Sequence, residues 1–438
     1  MKIRFIAPSW ANHTGHKRAP KSLFPPLNLA VLAALTPDSW EVDIVDESIE
    51  PLCFDDPVDV AAITALTAVA PRAYQIADEY RRRGVKVVLG GMHASALPDE
   101  AGQHADAVVT GEAEPVWRDV LGDAGRGRLK PRYHGRPGPL DGLPVPRRDL
   151  FRRDRYLLVN TMQSSRGCPH NCSFCTVTRF FGRTYRTRPI PDVLREIESM
   201  PGRDLLFVDD NIIGDVARAK QLFAALAGHR RRWIGQSSLD IAHDPALLRL
   251  AARSGCAALF IGFESLIAGN LKRIGKSVVN RVEGFLDAVR RIQAHGIDIQ
   301  GAFIFGLDDD DAGIFKRTVD FARRAHLAAV QFSILTPFPG TRLRRQFEAA
   351  GRIITSDWSQ YTISNAVFQP LHMTRERLAQ GFTWAYREFY SYRSMLSRLL
   401  PRAGRNLPLL LYVNLCFRRG IGRRLAHCGA DPLPSPFI

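Results

Sequence analysis

The feature that most restricts this chain is the run Arg166-Gly167-Cys168-Pro169-His170-Asn171-Cys172-Ser173-Phe174-Cys175. A C-x3-C-x2-C loop holds three thiolates close together and withholds a fourth. Soft thiolates suit zinc and iron–sulfur clusters, and most clusters take four cysteines and only carry electrons. A three-cysteine site leaves one iron open to a further ligand, as a catalytic metal needs. A structural zinc site would ask for a fourth ligand, typically from a second C-x2-C pair, and none follows. Seven cysteines in 438 residues are too few, and odd in number, for a disulfide framework. Cys53, Cys256, Cys416 and Cys428 read as small apolar residues.

The chain is long enough for two or three domains, and 45% of it is hydrophobic, enough for a real core. Strands are expected at Lys2–Ala7, Val42–Val45, Val58–Leu66 and Val85–Leu89, with helices at Pro26–Leu35 and Arg72–Arg83. That alternation predicts a doubly wound, Rossmann-like α/β domain over 1–130. A Pro- and Gly-rich stretch then reads as a linker over 131–151. A second series starts behind it, with strands at Leu157–Gln163, Leu205–Val208, Trp233–Ser238, Ala257–Phe263, Ile297–Phe305 and Ala328–Leu335. Helical runs fill the gaps, so residues 152–345 predict a partial, TIM-type (β/α)6 barrel. The apolar run Tyr156–Val159 before the cysteines would put them at the end of its first strand. Residues 346–438 read as a mostly helical, basic C-terminal region.

Ligands of both folds gather at the carboxyl ends of the strands. Thr64, Thr67 and the pair Gly90-Gly91 lie there in the first domain. In the barrel the same positions are Asp209-Asp210-Asn211, Ser237 after Gln236, Glu264 in Gly262-Phe263-Glu264-Ser265, and Gly301 through Gly306. Carboxylates opposite a cluster loop suit a cationic, hydroxyl-rich ligand. Each also has a plainer role available: Asp210 and Asn211 as helix caps, Glu264 as a buried paired acid, the glycines as strand punctuation.

The cysteine spacing, the aromatic before the third cysteine and the six β/α units together resemble the radical S-adenosylmethionine (SAM) enzymes, over about 152–341. The resemblance implies that Cys168, Cys172 and Cys175 ligate a 4Fe–4S cluster whose open iron chelates SAM. It implies that Asp209 and Asp210 meet the SAM amino group, Ser237 and Glu264 its ribose or carboxylate, and Gly301–Gly306 its adenine. Val88-Leu89-Gly90-Gly91-Met92-His93 and Thr110-Gly111-Glu112-Ala113-Glu114 resemble the front domain of the cobalamin-binding subfamily. There Thr64, Thr67, Gly90 and Gly91 would face cobalamin. One departure stands out: the loop Pro8–His16 lacks the D-x-H-x-x-G run that supplies a lower histidine to cobalt. His13 and His16 read as solvated loop residues.

The resemblance implies a cobalamin-dependent C-methyltransferase acting on an unactivated carbon of a small or lipid-like molecule. Relatives include hopanoid, bacteriochlorophyll and antibiotic methylases. Two alternatives remain open: a radical oxidative cyclase of the anaerobic magnesium-protoporphyrin type, and a non-catalytic iron–sulfur or zinc module. A low-potential donor such as flavodoxin or ferredoxin is implied as partner. The net charge of +16 is spread over many Arg-rich segments without an RNA-binding motif, so nucleic acid is not the expected partner. The tail from Ser391 carries eight arginines, one acid and the apolar run Leu407–Phe417, which suits peripheral contact with anionic lipid. No stretch reaches the length of a membrane span. A cytoplasmic, reducing setting is expected.

Overall fold

The computed structural model describes residues 1–9, 22–402 and 407–426. The Pro8–His16 loop, with His13 and His16, therefore falls largely outside the described residues, as does Cys428.

The first sheet is built from β1 (Lys2–Ala7), β2 (Glu41–Asp46), β3 (Val60–Thr64), β4 (Lys86–Gly90), β5 (Ala107–Gly111) and β6 (Arg132–Gly135). All pairings are parallel, in the order β2-β1-β3-β4-β5-β6. Side chains alternate across the pleat, so neighbouring residues feed opposite cores. Phe5, Ala62 and Val88 enter one core with Trp117; Ile6, Ile63 and Leu89 enter the other with Tyr74 and Tyr80. The strand order reverses between β1 and β3, which makes their carboxyl ends the switch point where such sheets bind ligands.

The stretch expected as a linker is corrected here. Arg132–Gly135 is a strand of the first sheet, and Phe151 and Tyr156 are buried in its core. The Tyr156 hydroxyl donates to Asp46 Oδ2 at 3.0 Å. Proline and glycine density hid a strand only four residues long. Tyr156–Val159 accordingly does not form the strand that leads to the cysteines.

The second sheet begins with β7, shortened to Thr161–Met162, and two strands outside it, β8 (Ser165–Arg166) and β9 (Arg186–Thr187), form an antiparallel ribbon around the cysteine loop. It continues through β10 (Asp204–Phe207), β11 (Arg232–Ser237), β12 (Cys256–Glu264), β13 (Asp298–Phe305) and β14 (Ala329–Ile334). The order β14-β13-β12-β11-β10-β7 is parallel throughout and open. Phe263, Phe303 and Phe332 pack in series against the helix Ile314–Arg324 through Phe321.

An open barrel leaves a strand edge with unmet backbone groups. Here β14 is that edge, and the C-terminal region covers it. Tyr386 and Tyr390, four apart on one helical face, each serve one residue of the edge. The Tyr386 hydroxyl donates to the Phe332 carbonyl (2.9 Å) and accepts from its N–H (3.0 Å). Tyr390 does the same for Val330, at 2.7 and 3.0 Å. Arg398, fully buried, donates to the carbonyls of Leu327 and Ala328, and Asn414 donates to Ala328 at 3.0 Å. Burial lowers the pKa of Arg398 to about 10, and its guanidinium lies 3.7 Å from the Phe389 ring centre.

Tyr390→Phe removes both hydrogen bonds from a buried N–H and carbonyl, so it should lower stability by about 2 kcal/mol. The denaturant midpoint measures this, and an unchanged midpoint would show that water replaces the phenol.

Candidate functional site

The cysteine loop is held from several sides. Asp209, at the end of β10, is fully buried and accepts from the Ser164 N–H (3.0 Å), Ser164 Oγ (2.7 Å) and Ser165 Oγ. Burial raises its pKa, and these donors oppose that rise. Its carboxylate is spent on the segment leading to the cysteines, so the expectation that it meets the SAM amino group is corrected for this residue. Asp210 accepts from the Gly167 N–H at 3.0 Å, and burial raises its pKa to about 6. Farther along, the Ser173 N–H donates to the Ile274 carbonyl (3.0 Å), and the Ser173 carbonyl accepts from the Leu343 N–H (2.9 Å).

The three thiols are half-buried and unpaired. Burial raises all three thiol pKa values, that of Cys175 to about 12. Asn211 opposes that rise at Cys168, and the charges of Lys276 and Arg342 pull down on Cys172. Lys276 gives no signal in the sequence. Burial would lower its pKa, but Glu264, Cys172 and Cys168 raise it, and its Nζ lies 3.3 Å from Glu264 Oε1. A buried ammonium beside two of the three thiols suits an anionic group assembled on them. Among the described residues no three His, Cys, Asp or Glu side chains converge on one point. A cubane asks for no such point, because each thiolate binds a different iron. The donor set therefore fits the cluster.

Glu264 sits at φ +65°, left-handed backbone that a glutamate rarely adopts. Asn280 stabilises the bend by donating to the carbonyls of Gly262 and Phe263, both at 2.9 Å. Ser237 is buried and donates to the Ser238 carbonyl at 2.9 Å. The glycines of β13 are explained by packing. A Cβ on Gly301 would stand 2.7 Å from Leu327 Cδ1 and 3.1 Å from Phe303 Cε2, toward the outer helices. Gly306, at φ +88°, turns against Leu378 and Phe368. Packing alone thus accounts for glycine at these two positions. Asp310 fixes the Gly306 turn by accepting from the N–H groups of Gly306 (2.9 Å) and Leu307 (3.1 Å).

The front domain meets this loop across a cleft with about 1490 Å³ of unfilled space, partly open to solvent. Thr64, Gly90, Gly91, Val88 and Trp117 line one wall; Gln163, Arg166, Phe180 and Phe181 line the other. Gly91 needs glycine for its own chain: at φ +96°, a Cβ would lie 2.8 Å from the Ala65 nitrogen. At Gly90 a Cβ would find nothing nearer than 3.8 Å, so its absence lowers the cleft floor. Thr67 is not brought to the cleft; it is buried in the turn Thr67–Val69, against Trp358–Gln360. His93 is buried as well, its Nε2 3.2 Å from Glu100. A broad cleft with a glycine floor and apolar walls fits a corrin.

The run Gly111-Glu112-Ala113-Glu114 joins the two domains. Glu112 is buried and accepts from Arg166 Nη1 at 2.8 Å and from Arg186, while Glu114 accepts from the other arm of Arg166. Burial would lower the pKa of Arg166, and the two glutamates raise it. Of the other cysteines, Cys53 is exposed, Cys256 buried and Cys416 half-buried, so the apolar reading holds for Cys256 and is corrected for Cys53.

Comparison with known proteins agrees with this geometry. The model of the radical SAM superfamily matches residues 162–322, and that of the B12 binding domain matches 18–121. Bacteriochlorophyllide d C-12(1)-methyltransferase of Chlorobaculum tepidum is 33% identical over 407 residues, covering 90% of this chain and 88% of that protein. The chain belongs to the cobalamin-binding radical SAM enzymes. Its cofactors are those of the family: a 4Fe–4S cluster, SAM and cobalamin. Bacteriochlorophyllide d C-8(2)-methyltransferase of the same organism is 30% identical, covering 91% of this chain and 92% of that one. A radical SAM methyltransferase from Kitasatospora setae, solved with tryptophan substrate and a SAM analog, superposes with a TM-score of 0.66. At 18% identity, covering 89% of this chain and 88% of the other, that likeness concerns the fold.

Two measurements test the site's electrostatics. Glu112→Ala leaves Arg186 without a carboxylate and Arg166 with Glu114 alone, so it should cost about 3 kcal/mol in chemical unfolding and open the cysteine loop to protease. A loss under about 1 kcal/mol would show the clamp is solvated. Burial raises the pKa of Asp310 to about 7, so between about pH 4 and 7 the folded chain holds a proton that the unfolded chain releases. Stability should therefore fall as pH rises through that window, by up to about 1.4 kcal/mol per unit, and Asp310→Asn should flatten the slope.

Proposed function

We propose that this enzyme transfers a methyl group to an unactivated carbon of a small, apolar or lipid-like molecule. The observation that carries the reading is the cleft between the domains: the glycine floor of the front domain faces the residues that flank the cysteine loop, Gln163 and Arg166 before it and Phe180 and Phe181 after it. The close relatives named as methyltransferases, matched over nine-tenths of this chain, support it. The cluster with SAM supplies reductive cleavage and cobalamin supplies a transferable methyl, and the protein places the two and excludes water.

In this reading Cys168, Cys172 and Cys175 hold the cluster, and Asn211 and Lys276 balance the charge on their sulfurs. Asp210, Ser237 and Glu264 face SAM, with Lys276 fixing the Glu264 carboxylate. Asp209 acts indirectly, by holding Ser164 and Ser165. Thr64, Gly90 and Gly91 seat the corrin, while Phe180 and Phe181 keep the opposite wall dry. Electrons come from an acidic low-potential carrier of the flavodoxin or ferredoxin type. A basic rim supports that partner: Arg342 donates to the Asn171 carbonyl inside the cysteine loop at 3.2 Å, and Arg345 donates to the Gly340 carbonyl beside Arg179. None of these three exposed arginines forms an ion pair with a described carboxylate.

Protein purified without oxygen should carry about four iron and four sulfide per chain, and one corrin. With reductant and acceptor it should make S-adenosylhomocysteine alongside 5′-deoxyadenosine, because methylation uses two SAM molecules. Cys172→Ala should abolish 5′-deoxyadenosine and hold S-adenosylhomocysteine to at most about one per corrin, while leaving the circular dichroism spectrum unchanged. 5′-Deoxyadenosine without S-adenosylhomocysteine, from protein retaining its corrin, would overturn methyl transfer in favour of a radical oxidation.

A further inference from the structure

The helices that close the barrel edge leave an apolar stripe uncovered. On the helix Tyr392–Leu399 and the turn Leu400–Arg402 that follows, Tyr392, Leu396 and Leu400 are 61%, 53% and 56% exposed. A four-residue spacing puts them on one helical face. Tyr412, on the adjoining helix Leu407–Ala426, is 48% exposed. Single exposed leucines are ordinary, but a repeated row beside an exposed tyrosine marks an interaction surface.

Charge selects what covers it. Between Ser391 and Ala426 the chain has eight arginines and no aspartate or glutamate. Arg418 lies over the Tyr392 ring at 4.1 Å, binding the basic helix to the head of the stripe. Arg393 and Arg419 are exposed and form no ion pair with a described carboxylate. A nucleic acid would satisfy the arginines and leave the leucines in water. An anionic bilayer satisfies both, with phosphates for the guanidinium groups and acyl chains for Tyr392, Leu396 and Leu400. No described helix is long and apolar enough to cross a membrane, so the contact lies in the plane of the interface.

We propose that this face, built from Tyr392, Leu396, Leu400, Arg393 and Arg419, docks on an anionic lipid surface. The proposal stands apart from methyl transfer and is tested without turnover. Full-length protein is floated with vesicles of phosphatidylcholine alone and with vesicles containing about one-third phosphatidylglycerol. It should partition onto the anionic vesicles at low salt and leave them near 1 M salt, where the screening length is about 3 Å. Arg393→Glu combined with Arg419→Glu should reduce partition at least about tenfold, since each arginine is worth roughly fivefold. Leu396→Glu should reduce it comparably, with thermal unfolding unchanged in both variants because the residues are exposed. Equal recovery from neutral and anionic vesicles, or none from either, would overturn the proposal. So would a dimer dispersed by Leu396→Glu, which assigns the face to a second copy. Binding that fails in the arginine variant but survives Leu396→Glu would also overturn it, because a polyanion without an apolar phase would then suffice.

Discussion

Everything in the site depends on one buried charge arrangement, Arg166 and Arg186 on Glu112, with Glu114 on the second arm of Arg166. Arg166 stands two residues before the first cysteine, and Glu112 follows directly on the strand β5 of the first domain. Removing one partner while the domains stay packed would leave the other charges buried and uncompensated, which costs several kcal/mol and is why such pairs are strongly destabilising when broken. The clamp therefore fixes the segment leading to the cysteines against the first domain at the wall of the cleft. A chemistry that moves a group between two large cofactors requires their separation to be fixed, and fixed polar contacts perform that better than apolar packing alone.

The open barrel poses the opposite problem. Six strands stop short of closure, so one side is free for the front domain and the other exposes the edge of β14. Tyr386 and Tyr390 answer with paired donor and acceptor contacts, and Arg398 and Asn414 extend the cover to Leu327 and Ala328. The C-terminal helices are thus part of the barrel's stability. Because their inner faces are committed to the strand edge, their outer faces remain available, and that is where the apolar stripe and the exposed Arg393 and Arg419 lie.

Much of the fold is legible in the residues themselves. The cysteine spacing, five of the six barrel strands and the alternation of the front domain can be read from the chain, because strand burial and helix periodicity are local properties. What escapes such reading is short or depends on distant partners. Arg132–Gly135 is hidden by neighbouring prolines, and the first barrel strand is short because Tyr156 is claimed by the front core. Asp209 and Asp210 look alike in sequence, yet one is consumed by Ser164 and Ser165 while the other keeps a freer carboxylate. Lys276 is silent in the sequence, since only the fold brings it to Glu264 and the thiols.

The sequence by itself determined the chemistry on offer: three soft ligands with one position withheld, polar residues at strand ends, and a basic tail poor in acids. These follow from residue type and spacing, which the chain carries whether folded or not. Tertiary structure alone decided which carboxylates are structural, where the glycines serve packing, and that the flanks of the cysteine loop face the front domain's glycines across one cleft. Those outcomes rest on burial and on partners tens to hundreds of residues apart, and burial is what turns a hydrogen bond or a charge into a fixed contact.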